Sequence, residues 1–77
     1  MTGDELRHAI SQIGCNQVWF ARTIGVQPRT VRSWLSGRSP VPVIIALIMD
    51  FMLEHGLTKT DLERARRHVD NGASLGR

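Results

Sequence analysis

Apolar residues recur along this chain at helical spacing, and no alternating stretch is long enough to suggest a strand. Leu6, Ile10 and Ile13 share one face. Thr2 and Glu5 stand ahead of them at the spacing of a capping box, and Gly14 follows as a stop. Asn16 is placed to cap a second helix that carries Phe20, Ala21 and Ile24 on one side and ends at Gly25. A third helix is expected to begin at Pro28, where a missing N–H costs nothing, and to run to about Ser36 before Gly37. Residues 38–42, RSPVP, read as a connector, since Pro40 and Pro42 exclude a continuous helix. A fourth helix covers 42–55 and stops at Gly56. Thr60 with Glu63 is expected to cap a fifth, over 60–71, with Leu62, Ala65 and Val69 as its stripe. The pattern predicts an all-α domain of five short helices over residues 1–71, with 72–77 as a flexible tail.

The third helix separates cleanly into two faces. With Val31 as the buried reference and 100° per residue, Trp34 and Leu35 fall within about 60° of it. Arg29 and Ser33 fall nearly opposite, flanked by Arg32 and Ser36 on one side and Thr30 on the other. That outer face is all hydrogen-bonding and carries no acid. Arginine pairs bidentately with guanine O6 and N7, and serine or threonine serves bases or phosphates. A solvated polar face is the plain alternative.

The fourth helix has no such division. Only Asp50 interrupts apolar residues from Val43 to Leu53, and a helix apolar all round has to be covered all round. Helices one to three meet one side and helix five another. A remaining strip calls for a second subunit, with Ile44, Ile45, Ile48, Met49 and Met52 as the candidate dimer interface. Trp19 falls about 160° from Ala21 and points outward, for a partner, for DNA, or for a neighbouring helix that covers it.

Charge sharpens the first of these readings. No acidic residue occurs between Glu5 and Asp50, while Arg7, Arg22, Arg29, Arg32 and Arg38 all lie in that interval. From residue 39 onward the charges balance, so the net +3 sits in the N-terminal half. A one-signed field of this kind suits a polyanion.

The stretch NQVWFARTIGVQPRTVRSWLSGRSPVP, residues 16–42, resembles the helix-turn-helix of the lambda-repressor and Cro-like family. Gln17, Phe20-Ala21, Gly25-Val26, Val31, Trp34, Gly37 and the following proline carry the resemblance. It implies a compact five-helix DNA-binding domain, usually a dimer, with the helix-turn-helix at 16–37 and the third helix in the major groove of double-stranded DNA. It implies a phosphate contact at Gln17 and base contacts at Arg29, Arg32 and Ser33. Gln27 stands where serine or threonine is usual, which weakens the cap and leaves its amide to reach a base. Pro28 removes a customary polar contact, and Leu35 replaces a common glutamate. Asn16, Arg22, Thr30, Ser36, Arg38 and Ser39 surround the third helix and are the further phosphate candidates.

Catalysis finds no support in the pattern. His8, His55, His68 and Cys15 lack ligand spacing, so no metal site is expected, and no glycine-rich phosphate loop or nucleophile–base pair stands out. No cofactor is implied. One cysteine cannot form an internal disulfide, no charged segment leads an apolar one, and the run 41–49 falls far short of the roughly 20 residues that span a bilayer. The expectation is a cytoplasmic, non-enzymatic transcriptional regulator, a dimeric repressor on an inverted-repeat operator. An antitoxin- or adaptor-like protein-binding module and a non-specific DNA-binding protein are the alternatives.

Overall fold

Short-range capping sets most of the helix ends. The computed structural model describes residues 1–71, and the tail expected at 72–77 lies outside them. Helix α1 spans Gly3–Gln12, α2 Gln17–Ile24, α3 Pro28–Ser36, α4 Val43–Glu54 and α5 Lys59–Asp70, with no strand among the described residues. At α1 the Thr2 hydroxyl accepts from the Glu5 N–H at 3.1 Å, and the Glu5 carboxylate accepts from the Thr2 N–H at 2.7 Å. That backbone bond holds the Glu5 carboxyl below its ordinary pKa. Asn16 caps α2 by accepting from the Trp19 N–H at 2.8 Å.

Two glycines permit close geometry. Gly25 ends α2 at φ 84°, a left-handed conformation, and the Val26 N–H then reaches back to the Ala21 carbonyl at 2.9 Å. Only Gly25, Val26 and Gln27 separate α2 from α3. Gly3 lets the start of α1 press on the end of α3, where a Cβ would collide with the carbonyl oxygens of Trp34 and Leu35.

The core gathers Leu6, Ala9, Ile10 and Ile13 from α1, Phe20 and Ala21 from α2, and Val31, Trp34 and Leu35 from α3. Helix α4 adds Ile45, Met49 and Met52. Helix α1 is the hub, packing on both α3 and α4, while α2 packs on α3. Helix α5 contributes no buried residue and rests chiefly on α2.

Two expectations need correction. Of the five residues assigned to a dimer interface, Ile45, Met49 and Met52 are buried within the single chain and have no surface to offer. Ile48 is half-buried against the core, and only Ile44 is exposed. The reason is geometric: the stripe Ile45–Met49–Met52 is the one that meets α1, and nothing in the apolar pattern marked it out. The second correction is the cap of α5, which is Thr58 with Asp61 and not Thr60 with Glu63. The Asp61 carboxylate accepts from the Thr58 N–H at 2.8 Å. One long-range and one local bond fix that earlier start: Lys59 N–H donates to the Ile13 carbonyl at 2.7 Å, and Leu57 N–H to the Met52 carbonyl at the end of α4 at 2.8 Å. This places Leu57 just before the cap and Leu62 at the fourth helical position, the arrangement of a hydrophobic staple, and both pack on the core. For Trp19, the reading in which a neighbouring helix covers it is the one the structure shows. Trp19 is half-buried, with the Lys59 ammonium 5.1 Å from its ring centroid.

Candidate nucleic-acid interface

The polar face of α3 forms a site because the chain after it folds back. Gly37 turns at φ 82°, and the Ser39 N–H donates to the Ser33 carbonyl at 3.2 Å. Ser36 Oγ donates to the same carbonyl at 3.2 Å and accepts from the Arg38 N–H at 3.4 Å. Arg38 is thereby held beside the helix instead of trailing from it. Arg29, Thr30, Arg32, Ser33, Ser36 and Arg38 line one hollow. A second hollow is lined by Arg7, Gln17, Arg32, Leu35 and Ser36. Arg32 and Ser36 belong to both, so the two form one continuous basic surface.

Neither hollow has a carboxylate in its lining. Both ion pairs among the described residues lie on α5, Arg64–Asp61 at 3.9 Å and Arg66–Asp70 at 3.0 Å. The arginines around α3 thus keep their positive charge uncompensated, and water is their only competitor for a phosphate or a guanine edge.

The sequence-expected residues divide by position. Arg29, Thr30, Arg32, Ser33, Ser36 and Arg38 come together, with Gln17 joining through the second hollow. Gln27 is exposed at the start of α3 and makes no side-chain capping bond, so its amide is available. Asn16 spends its carbonyl oxygen on the cap of α2 and keeps its NH₂ as a donor. Ser39 is half-buried and serves through its backbone in shaping the turn. The Ser36 hydroxyl proton is already engaged. Arg22 is exposed on α2 but lies outside both hollows, about 140° around the helix from Gln17.

Arg7 is the residue sequence reasoning missed. It sits on the exposed side of α1 and enters the sequence reading only as part of the basic interval, not as a contact. Packing of α1 on α3 brings it beside Gln17 and Arg32. Leu35, in the same lining, carries no charge to neutralise it. A second omission is Arg66. Its guanidinium donates to the Thr23 carbonyl at 2.6 Å and the Arg22 carbonyl at 3.4 Å, and pairs with Asp70 at 3.0 Å. It satisfies orphan carbonyls at the end of α2 and ties α5 to the α2–α3 corner. Its i, i+4 spacing to Asp70 was readable, but its reach to α2 was not.

Away from this surface, the Cys15 thiol is half-buried and contacts the Ile10 carbonyl at 3.7 Å. Burial pushes its pKa up, and the nearby Lys59 charge works weakly against that. Such a thiol is a poor nucleophile. No helix among the described residues is long and apolar enough to cross a membrane. No protein-family model, curated protein or solved structure matches this chain.

Proposed function

We propose that the protein is a sequence-specific DNA-binding transcriptional regulator of the lambda-repressor-like helix-turn-helix type, with α2 and α3 as the two helices of that motif. Helix α3 enters the major groove. Arg29, Arg32 and Ser33 meet base edges, Gln27 reaches a neighbouring base from the start of the helix, and Arg7, Gln17 and Arg38 hold phosphates on either side. A repressor results when the bound site overlaps a promoter.

One observation carries this reading: the outer face of α3 gathers three arginines with serines and threonine in a hollow free of carboxylates. Uncompensated guanidiniums beside short hydroxyl side chains match the donor and acceptor pattern of the major groove.

Selection from random duplex DNA tests the proposal directly. A regulator of this kind yields a defined motif and prefers it over random duplex by roughly 10³-fold or more at fixed salt. Equal binding to all duplexes would make the protein an architectural or coating protein, and no binding at low salt would remove DNA altogether.

A further inference from the structure

We infer that Arg66 is a positioning residue for the first turn of α3, clamping the α2–α3 corner from its place on α5. The clamp stands on the corner's own hydrogen bonds, and only its effect on readout rests on the proposed DNA binding.

Helix α2 ends with a carbonyl that the backbone does not serve. The Gly25 N–H donates to the carbonyls of Ala21 and Arg22, and the Val26 N–H donates to that of Ala21 again. No backbone N–H among the described residues reaches the Thr23 carbonyl. Arg66 Nη1 supplies the missing donor at 2.6 Å, while its Nε donates to the Asp70 carboxylate at 3.0 Å. The guanidinium is thus fixed at two points, and its charge meets the negative end of the α2 dipole. The same Nη1 lies beside the turn, 3.7 Å from where a Cβ on Gly25 would stand.

Helix α5 reaches the corner because it grips α2 at both ends. Lys59 stands over the Trp19 ring near the start of α2, and Arg66 takes the carbonyls at its close. The two are seven residues apart, about two helical turns, so they project from one face of α5. A helix with no buried residue of its own is held there largely by these polar contacts, and in return it holds the corner.

The two ends of α3 are supported differently. Its last turn is pressed by α1, where Gly3 lies against the Trp34 and Leu35 carbonyls. Its middle is anchored by Val31, which has no exposed surface. Its first turn has no side-chain cap and takes its direction from the corner that Arg66 clamps. Gln27 and Arg29 stand at that turn, whereas Arg32 and Ser33 follow the buried anchor. Hydrogen bonds to base edges hold within a few tenths of an ångström, so a shift of roughly 1 Å at the first turn loses them. Loosening the corner therefore erodes readout at one edge of the site and spares the other.

Three variants of the full chain test this: Arg66→Met keeps the aliphatic stem, Arg66→Lys keeps a donor, and Arg64→Met is an exposed control on the same helix. Amide hydrogen exchange without DNA reads the corner. In Arg66→Met the Val26 and Thr30 amides should exchange at least about fivefold faster, with those of Ile13 and Phe20 unchanged, as local opening requires. Titration against the selected duplex and its single-base variants reads the consequence. Affinity for the best site should fall roughly tenfold, about the worth of one bidentate base contact. Discrimination should be lost at the base pairs that Arg29→Ala also relaxes and kept at those that Arg32→Ala relaxes. The slope of log K against log salt should not change. Arg66→Lys should recover part of the loss, and Arg64→Met should match the natural protein. Unchanged exchange at the corner overturns the inference, as does the same loss in Arg64→Met. A looser corner with discrimination intact overturns it too, leaving Arg66 a stabilising residue alone. An equal loss on every duplex with a slope lower by about one makes Arg66 a phosphate contact instead. If the natural protein binds no duplex, the DNA reading falls, and faster or unchanged exchange at Val26 and Thr30 still upholds or overturns the clamp.

Discussion

Helices α3 and α4 both pack on α1, and they differ in what they leave outside. Helix α3 buries Val31, Trp34 and Leu35 and turns Arg29, Arg32, Ser33 and Ser36 outward. Helix α4 buries Ile45, Met49 and Met52 and turns Val43, Ile44, Leu47 and Phe51 outward. The first exterior is stable in water by itself and offers charge to a polyanion. The second is costly in water, at about 25 cal/mol per Å² of apolar surface, and gains by being covered. One small core thus carries two surfaces of opposite chemistry.

The largest effect expected from breaking this contrast is on stability, within α4 itself. Met49 has no exposed surface, and Met49→Ala should cost about 2–5 kcal/mol in denaturant unfolding. Leu47→Ala, two residues away, should change the stability of the monomer by less than about 0.5 kcal/mol. Equal costs at the two positions would mean that the inner and outer faces of α4 have been assigned wrongly.

On α3 the outer face should matter for binding alone. Arg29→Ala should leave thermal unfolding unchanged and cost about 1–3 kcal/mol on the best DNA site, relaxing preference at one base pair. Fluorescence titration against the selected site and its single-base variants reads this. A loss equal on all sequences would turn Arg29 into a backbone contact.

A smaller effect separates the arginines that frame α3 from those that do not. Arg7→Ala and Arg38→Ala should each lower the slope of log K against log salt by about one, as happens when one phosphate fewer is neutralised. Arg22→Ala, outside both hollows, should leave the slope unchanged. If Arg22 lowers it and Arg7 does not, the DNA backbone passes on the other side of α2.

What could be read from the sequence follows the range of the interactions. Thr2 with Glu5, Asn16, Gly25, Pro28 and Gly37 all sit where their chemistry implied, because a cap is made within four residues of itself. The polar arc of α3 was readable for a similar reason: a helix with two distinct faces declares its orientation. The orientation of α4 was not readable, since a stripe cannot be picked out of an unbroken apolar run. The start of α5 was ambiguous between two overlapping cap patterns, Thr58–Asp61 and Thr60–Glu63. The bond from Lys59 to the Ile13 carbonyl, far away in sequence, selects the first. Arg7 and Arg66 escaped for the same reason, since each acts on a helix other than its own.

The smallest effect concerns Gln27, where stability and binding should move in opposite directions. Asn16 caps α2 with its side chain, but Gln27, in the equivalent place on α3, makes no such bond. The Thr30 N–H turns instead to the Gln27 backbone carbonyl at 2.9 Å, and no side chain caps the first turn. Serine has a short hydroxyl that reaches the second or third N–H of a helix, and glutamine is too long to do so at low entropy cost. Gln27→Ser should therefore raise stability by about 0.5–1 kcal/mol, seen as a higher unfolding midpoint at an unchanged denaturant slope. The exposed amide that the substitution removes is the one proposed to reach a base at the edge of the major groove. Affinity for the selected site should accordingly fall, with the loss confined to the base pairs at that edge. A gain in both properties would show that Gln27 is merely a poor cap, and direct readout would then begin at Arg29.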